Sequence, residues 1–361
     1  MKTRMNVENL ELDRISITDI ENVFIGQVED EKGGTGCTVF IAPDGMPAGL
    51  DIRGGGPASR ESSLMAPLSR TEILHGIVLA GGSAYGLDAA GGVMRYLEEQ
   101  GIGLHVADSV VPLVCQADIF DLNVGDPKAR PDVAMGYEAA KRALTAPNYK
   151  DGNYGAGCGA TVGKICGNDL CMKGGIGSFA IQMGELQIGA VVVVNAVGDV
   201  YDWTNSNKLA GVRHEGTNTM LTPTQTRQRW YQDQIAPMHG ANTTLGVILT
   251  NGKFSKAELS KIASMAHDGY AMAISPVHTT MDGDSIYALS TGNVTADIDS
   301  TGVMASCVMA EAIYYAVNAA ETAYGIPSIK DVEPMAETEK YILPEEYRSF
   351  RLEKFRKSTK G

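Results

Sequence analysis

Positive charge, metal-binding clusters, paired cysteines and long apolar runs are all scarce in this chain, and each scarcity removes a class of function. The 361 residues carry 30 Lys and Arg against 43 Asp and Glu, a formal net charge of −13. A generally acidic surface argues against nucleic acid or an anionic membrane as partner. No apolar stretch reaches eighteen residues, so no membrane-spanning helix is expected. The opening "MKTRMNVENLELDRISITDIENV" is charged throughout and lacks the apolar core of a signal peptide. Six cysteines (Cys37, Cys115, Cys158, Cys166, Cys171 and Cys307) lie at irregular spacings with no C-x-x-C pair. Without a secretory signal they read as reduced thiols of a cytoplasmic protein. The histidines form no H-E-x-x-H or other close pair, so a zinc site is not expected.

What is present is a globular composition: 44% hydrophobic and 20% charged residues, with 42 glycines spread along loops and strand ends. The length suits one large domain or two ordinary ones. Residues 22–53 alternate short apolar runs with Gly and Asp and predict two or three strands joined by tight turns. Ile73 to Ala80 reads as a strand, Leu87 to Gln100 as a helix stopped by Gly101, and "PDVAMGYEAAKRALTA" as a second helix. "LQIGAVVVVNAVGDVYD" predicts a strand pair with a turn near Asn195 to Gly198. Residues 204–240 are polar, contain proline and show no period, which predicts an exposed linker. In "SKAELSKIASMAHDGYAMAI", Ser255 and Glu258 fit a capping box, and Leu259, Ile262, Ala263 and Ala266 form one face. "TGVMASCVMAEAIYYAVNAAETAYGIP" reads as a long alanine-rich helix ended by Gly325 and Pro327. The basic end, "YRSFRLEKFRKSTKG", reads as a solvated tail. The mixture implies α/β architecture with helices layered over sheets.

Several motifs are decoys. "GAGCGATVGK" has Cys158 and Ile165 where a P-loop needs glycine and Ser or Thr, and it runs into a strand instead of a helix. "DGDS" at residues 282–285 lacks the further ligands of a calcium loop. Ser83, in G-G-S-x-Y-G, is off the nucleophile-elbow pattern by one residue.

The stretch "GANTTLGVILTNG", residues 240–252, is harder to dismiss. Leu245, Val247 and Leu249 alternate as a buried strand, and Asn242, Thr243 and Thr244 stand at its mouth. They are either a polar entry to the strand or a latent nucleophile. A threonine hydroxyl needs a base. If the bond before Thr243 is cut, the new α-amino group, with a reference pKa of about 8, can be that base. Lys164, Asn195 and the pair Asp282 and Asp284 are available helpers, though each also reads as an ordinary surface or turn residue.

"DIRGGGP", "HGIVLAGGSAYGLDAAGGV", "GAGCGATVGK", "VVVVNAVGDV", "GANTTLGVILTN" and "PVHTTMDGDSIYAL", in that order, resemble the self-cleaving N-terminal-nucleophile aminopeptidases. That family includes the D-aminopeptidase/esterases, the β-peptidyl aminopeptidases and the nylon-oligomer (6-aminohexanoate oligomer) hydrolases. The blocks span about residues 20 to 325, and "GANTTLGVILTN" with "HTTMDGD" is most similar to the nylon-oligomer branch. The resemblance implies a single catalytic domain, residues 1–361, as a four-layer α/β/β/α sandwich, cleaved between Asn242 and Thr243 into chains 1–242 and 243–361. It makes Thr243 the nucleophile, Asn195 the oxyanion donor and Lys164 the support of the nucleophile. Asp282 and Asp284 would position the threonine. It also implies an oligomer of cleaved units acting on small peptides, β-peptides or amino-acid amides, with no cofactor.

Phe120, in "ADIFDLN", stands where the nylon hydrolase has a tyrosine, so activity on nylon oligomers does not follow automatically. ω-Amino-acid oligomers are the second substrate class. An acyltransferase similar to ornithine acetyltransferase is a third reading, against which "MDGD" argues.

Overall fold

The computed structural model describes residues 12–66, 68–233 and 242–334. Its layers follow from alternation. In the strand Thr243–Gly252, Leu245, Val247 and Leu249 face one way, Ile248 faces the other, and both sets are buried. A strand that is apolar on both faces lies between two layers. Leu186–Asn195 behaves likewise: Val191 and Val193 enter one core, Val192 and Val194 the other.

These two strands are the middle of a six-stranded sheet. Its order is Leu12–Ile15, Gly175–Met183, Leu186–Asn195, Thr243–Gly252, Ser285–Val294 and Ala48–Ile52. A five-stranded sheet, ordered Phe24–Asp30, Thr35–Met46, Leu74–Ala80, Val114–Asp118 and Ala58–Arg60, covers one face. The core between the sheets joins Val191, Val193, Leu245 and Val247 to Phe40, Ile77 and Leu79.

The outer faces carry helices. Helices α1 (Ala89–Glu99) and α2 (Val133–Thr145) cover the five-stranded sheet through Val93, Leu97 and Ala140. A short polar helix, α3 (Pro223–Asp233), follows them in the chain. Helices α4 (Lys256–Ala273) and α5 (Ile298–Ala319) cover the six-stranded sheet through Leu259, Ile262, Tyr270, Met309 and Ile313. This is a four-layer α/β/β/α sandwich. Helices α1 and α2 touch backbone to backbone: a Cβ on Gly92 would fall 1.9 Å from the Val133 carbonyl, so glycine is required there. Helix α5 is long and apolar enough by length and composition to span a membrane. Here Ala305, Val308, Ala312 and Ala316 are buried in the core over the six-stranded sheet.

The capping box at α4 forms as the spacing predicts, with Ser255 Oγ accepting from Glu258 N and the Glu258 carboxylate accepting from Ser255 N. Two readings fail. Leu186–Asn195 does not pair with Asp199–Tyr201, which joins Lys208–Ala210 and Ile274–Ser275 in a small separate sheet. Residues 204–233 are not a loose linker either. Lys208 Nζ meets Asp199 Oδ2 at 2.7 Å in a fully buried ion pair, and Val212 and Leu221 pack with Ile165, Val197 and Met281. The segment shows no apolar period because one ion pair and scattered single residues anchor it. Helix α3, "PTQTRQRWYQD", has no apolar stripe to betray it. Residues 234–240 and the basic C-terminal tail lie outside the described residues.

Candidate active site

Strand register brings the chemistry together. Asn195 ends its strand directly opposite Thr243, which begins the next, in an antiparallel ladder. On the other side the Thr243 strand runs parallel to Ser285–Val294, with Leu245 opposite Ser285. A bridge pairs Asn242 with Asp282 just beyond the strands. The end of one central strand and the beginnings of two others therefore converge, and four of the five candidate residues sit there.

Thr243 is buried, 3% exposed. Its Oγ1 donates to the carbonyl oxygen of Asn242, the group across the bond expected to break. That carbonyl also accepts from the Gly283 amide at 2.9 Å. Gly283 has to be glycine, because a Cβ there would lie 2.7 Å from Thr243 Oγ1. The hydroxyl and the polarised carbonyl thus meet over a backbone with no side chain between them.

The fifth candidate, Lys164, arrives from the glycine-rich loop. That loop forms a short turn and the two-residue strand Thr161–Val162. Lys164 N and Ile165 N both donate to the Val197 carbonyl, which seats the lysine beneath the site. Lys164 Nζ donates to Asn195 Oδ1 at 2.8 Å and to the Asn195 carbonyl at 3.0 Å. Burial pushes its ammonium down to about 7, opposed by the nearby Cys171 and Asp282. Asn195 Oδ1 also accepts from Thr161 N at 3.0 Å, and its Nδ2 donates to the Phe120 carbonyl at 3.1 Å. The Asn195 amide is thus clamped from three sides, by Lys164, Thr161 and Phe120. Phe120 serves the site through its backbone.

The two aspartates differ. Asp282 Oδ2 accepts from Thr279 Oγ1 at 2.6 Å and Thr279 N at 3.2 Å, and Oδ1 accepts from Val197 N at 3.3 Å. Burial, and next the Asp284 charge, push Asp282 up to about 6. Asp284 Oδ1 accepts from Thr244 N at 2.8 Å, and Oδ2 faces His278. Thr244 is therefore more than strand: its amide ties Asp284 to the residue next to Thr243. The tri-glycine loop packs over this turn, with Gly56 N donating to the Asp282 carbonyl and Gly54 N to the Asp284 carbonyl. Among the described residues no group of three or more His, Cys, Asp or Glu could hold a metal ion. The arrangement provides a hydroxyl facing an activated carbonyl, a buried amine of lowered basicity and a split pair of carboxyls, which suits acyl transfer.

Comparison with known proteins agrees with this chemistry. Residues 16–329 match peptidase family S58. The chain belongs to that family. It is a peptide-bond hydrolase. An uncharacterized aminopeptidase of Mycobacterium leprae is 38% identical over 352 residues, spanning 89% of this chain and 95% of its own length. A protein of Agromyces sp. named 6-aminohexanoate-oligomer endohydrolase is 31% identical over 309 residues, covering 82% of this chain and 84% of that one. Among solved structures, the L-aminopeptidase D-Ala-esterase/amidase of Ochrobactrum anthropi, described as a variant of the Ntn hydrolase fold, superposes with a TM-score of 0.64. It is 17% identical and covers 90% of this chain and 92% of its own. A β-aminopeptidase of Burkholderia sp. superposes with a TM-score of 0.62 at 18% identity, covering 90% and 91%.

In this S58 peptidase the sequence reading passes over Gly283, Thr279, Thr161 and His278. All but Thr161 lie in "PVHTTMDGD", and proximity to Asp282 and Asp284 was the available signal. Thr161 reaches Asn195 Oδ1 through both its amide and its hydroxyl, and Gly283 acts through an amide that its residue type does not reveal.

Proposed function

We propose that this S58 peptidase is made as a precursor that cuts itself between Asn242 and Thr243. The fragment beginning at Thr243 then works as an N-terminal-threonine aminopeptidase on short peptides, β-peptides or amino-acid amides. The observation that carries this reading is the contact of Thr243 Oγ1 with an Asn242 carbonyl already held by the Gly283 amide. Thr243 Oγ attacks the Asn242 carbonyl carbon, the Thr243 nitrogen takes up a proton and leaves, and an ester joins Asn242 to Oγ. Water hydrolyses the ester, giving the Asn242 carboxylate and a free threonine. In turnover the new α-amine accepts the hydroxyl proton, Oγ attacks the substrate carbonyl, and the departing amine is protonated. Water then releases the acyl group. Lys164 and Asn195 stabilise charge near the oxyanion, and Asp282 and Asp284 hold the amine. N-terminal sequencing should find a fragment starting Thr-Thr-Leu-Gly. Thr243→Ala should leave the chain whole and lower amide turnover by about 1000-fold or more. Full turnover in that variant would place the nucleophile elsewhere.

A second substrate class, ω-amino-acid oligomers, is favoured by the 31% identity to a 6-aminohexanoate-oligomer endohydrolase. Comparing rates on a 6-aminohexanoate oligomer and an alanyl amide separates the two.

A further inference from the structure

We infer that His278 is a positioning residue for turnover, acting on Thr243 through Asp284; the inference rests on the reading of Thr243 as nucleophile. His278 stands in the loop between α4 and the strand Ser285–Val294. Its backbone is left-handed, with φ 58°, a conformation a residue other than glycine holds when its surroundings fix it. One carboxylate oxygen does the fixing. Asp284 Oδ2 accepts from His278 N at 3.0 Å and lies 2.9 Å from His278 Nδ1. An ionised carboxylate only accepts, so Nδ1 carries the hydrogen. The other oxygen, Oδ1, accepts from Thr244 N at 2.8 Å. The imidazole and the nucleophile strand therefore grip opposite oxygens of one carboxylate.

The surroundings leave that grip uncontested. From α4, the His267 ring stands edge-on to His278 at 4.8 Å between centroids, and Tyr270 lies at 6.0 Å. Burial pushes His267 down to about 4 and holds the Tyr270 hydroxyl well above its usual range, so both are neutral near pH 7. Behind His267 is Asp51, whose carbonyl lies 3.1 Å from Nε2 and whose carboxylate pairs with Arg53. His278 Nε2 is buried and has no partner among the described residues, so the ring's polar contact is spent on Asp284. Removing the ring leaves Oδ2 with one donor instead of two. The carboxylate is then free to turn from Thr244.

The test uses the full chain on L-alanine p-nitroanilide, with kcat counted per fragment that begins at Thr243. His278→Ala should lower kcat roughly tenfold to a hundredfold with KM within twofold. His278→Asn keeps an N–H donor near the Nδ1 position and tolerates the left-handed backbone, so it should restore kcat to within about threefold. A His278→Ala variant with wild-type kcat overturns the inference. So does equal impairment of the alanine and asparagine variants, or a loss that falls on KM, which is what a merely structural role predicts. If the alanine variant does not fold, His278→Gly, which takes the left-handed backbone without strain and has no side-chain donor, replaces it in the same comparison. Thr243→Ala is run alongside. Turnover surviving in it defeats the underlying reading, whereas a dead Thr243→Ala beside an unimpaired His278→Ala defeats only the role of His278.

Discussion

Two pairs of buried aspartates lie at strand ends of the two sheets, and they teach different things. Asp118 and Asp121 close the strand Val114–Asp118 in the five-stranded sheet, whereas Asp282 and Asp284 open Ser285–Val294 in the six-stranded one. Burial holds Asp118 well above the usual carboxylate range and pushes Asp121 up to about 6, as it does Asp282. Their partners separate the pairs. Asp121 is occupied by Thr35 Oγ1 and Gly82 N, each at 2.7 Å. Asp118 accepts from Gln116 and leaves one oxygen without a partner. Neither is paired with the threonine, while Asp282 bridges to Asn242 and Asp284 binds Thr244. A raised carboxyl pKa therefore does not by itself mark the site. Strand register does.

Asp282→Asn gives the largest expected break in that comparison. Processing and amide turnover should each fall by about 100-fold or more, measured by N-terminal sequencing and kcat/KM. The fold should gain. The folded pKa of Asp282 is raised, so between about pH 4 and about pH 6 the native chain keeps a proton that the unfolded chain loses. Stability then falls as pH rises through that window. Asparagine removes this loss, so the variant should be more stable at pH 7 by roughly 1–3 kcal/mol and unchanged at pH 4 in denaturant melts. Processing at the wild-type rate would show that Asp282 is only another buried acid.

Asp118→Asn is the matching control. The same sign applies, since burial also raises Asp118, so its melts should show a gain at pH 7 that vanishes at low pH. Processing and kcat/KM should stay within about twofold, because Asp118 accepts from Gln116 and bonds none of the residues around Thr243. A hundredfold activity loss in a chain that melts normally would mean that the two pairs work together.

This contrast also explains what could be read in advance. The layers were legible because Leu245, Val247 and Leu249 alternate with apolar neighbours, and a strand buried on both faces calls for layers on both sides. The capping box at Ser255 and Glu258 is a local pattern and forms as spelled. The candidate site was named through resemblance alone, because no local rule tells Asp282 from Asp118 or Lys164 from a surface lysine. The segment 204–233 was misread because its anchors, the buried pair of Lys208 with Asp199 and the scattered Val212 and Leu221, have no periodic signature. His278 escaped notice because its bond to Asp284 is made across a loop, where no spacing rule pairs a histidine with an aspartate six residues on.

The smallest expected effect is the sharpest on substrate. Phe120 contributes its backbone carbonyl to Asn195 Nδ2, and tyrosine would keep that contact. Phe120→Tyr should therefore process normally and turn over an alanyl amide within about threefold of wild type. Only the phenol is new. If it reaches an oligomer's amide, one added hydrogen bond is worth about 0.5–1.5 kcal/mol, a roughly twofold to tenfold rise in the ratio of 6-aminohexanoate-oligomer to alanyl-amide turnover. An unchanged ratio would mean that position 120 does not set the choice between the two substrate classes. Failed processing would mean that the Phe120 ring, and not only its carbonyl, holds Asn195 in place.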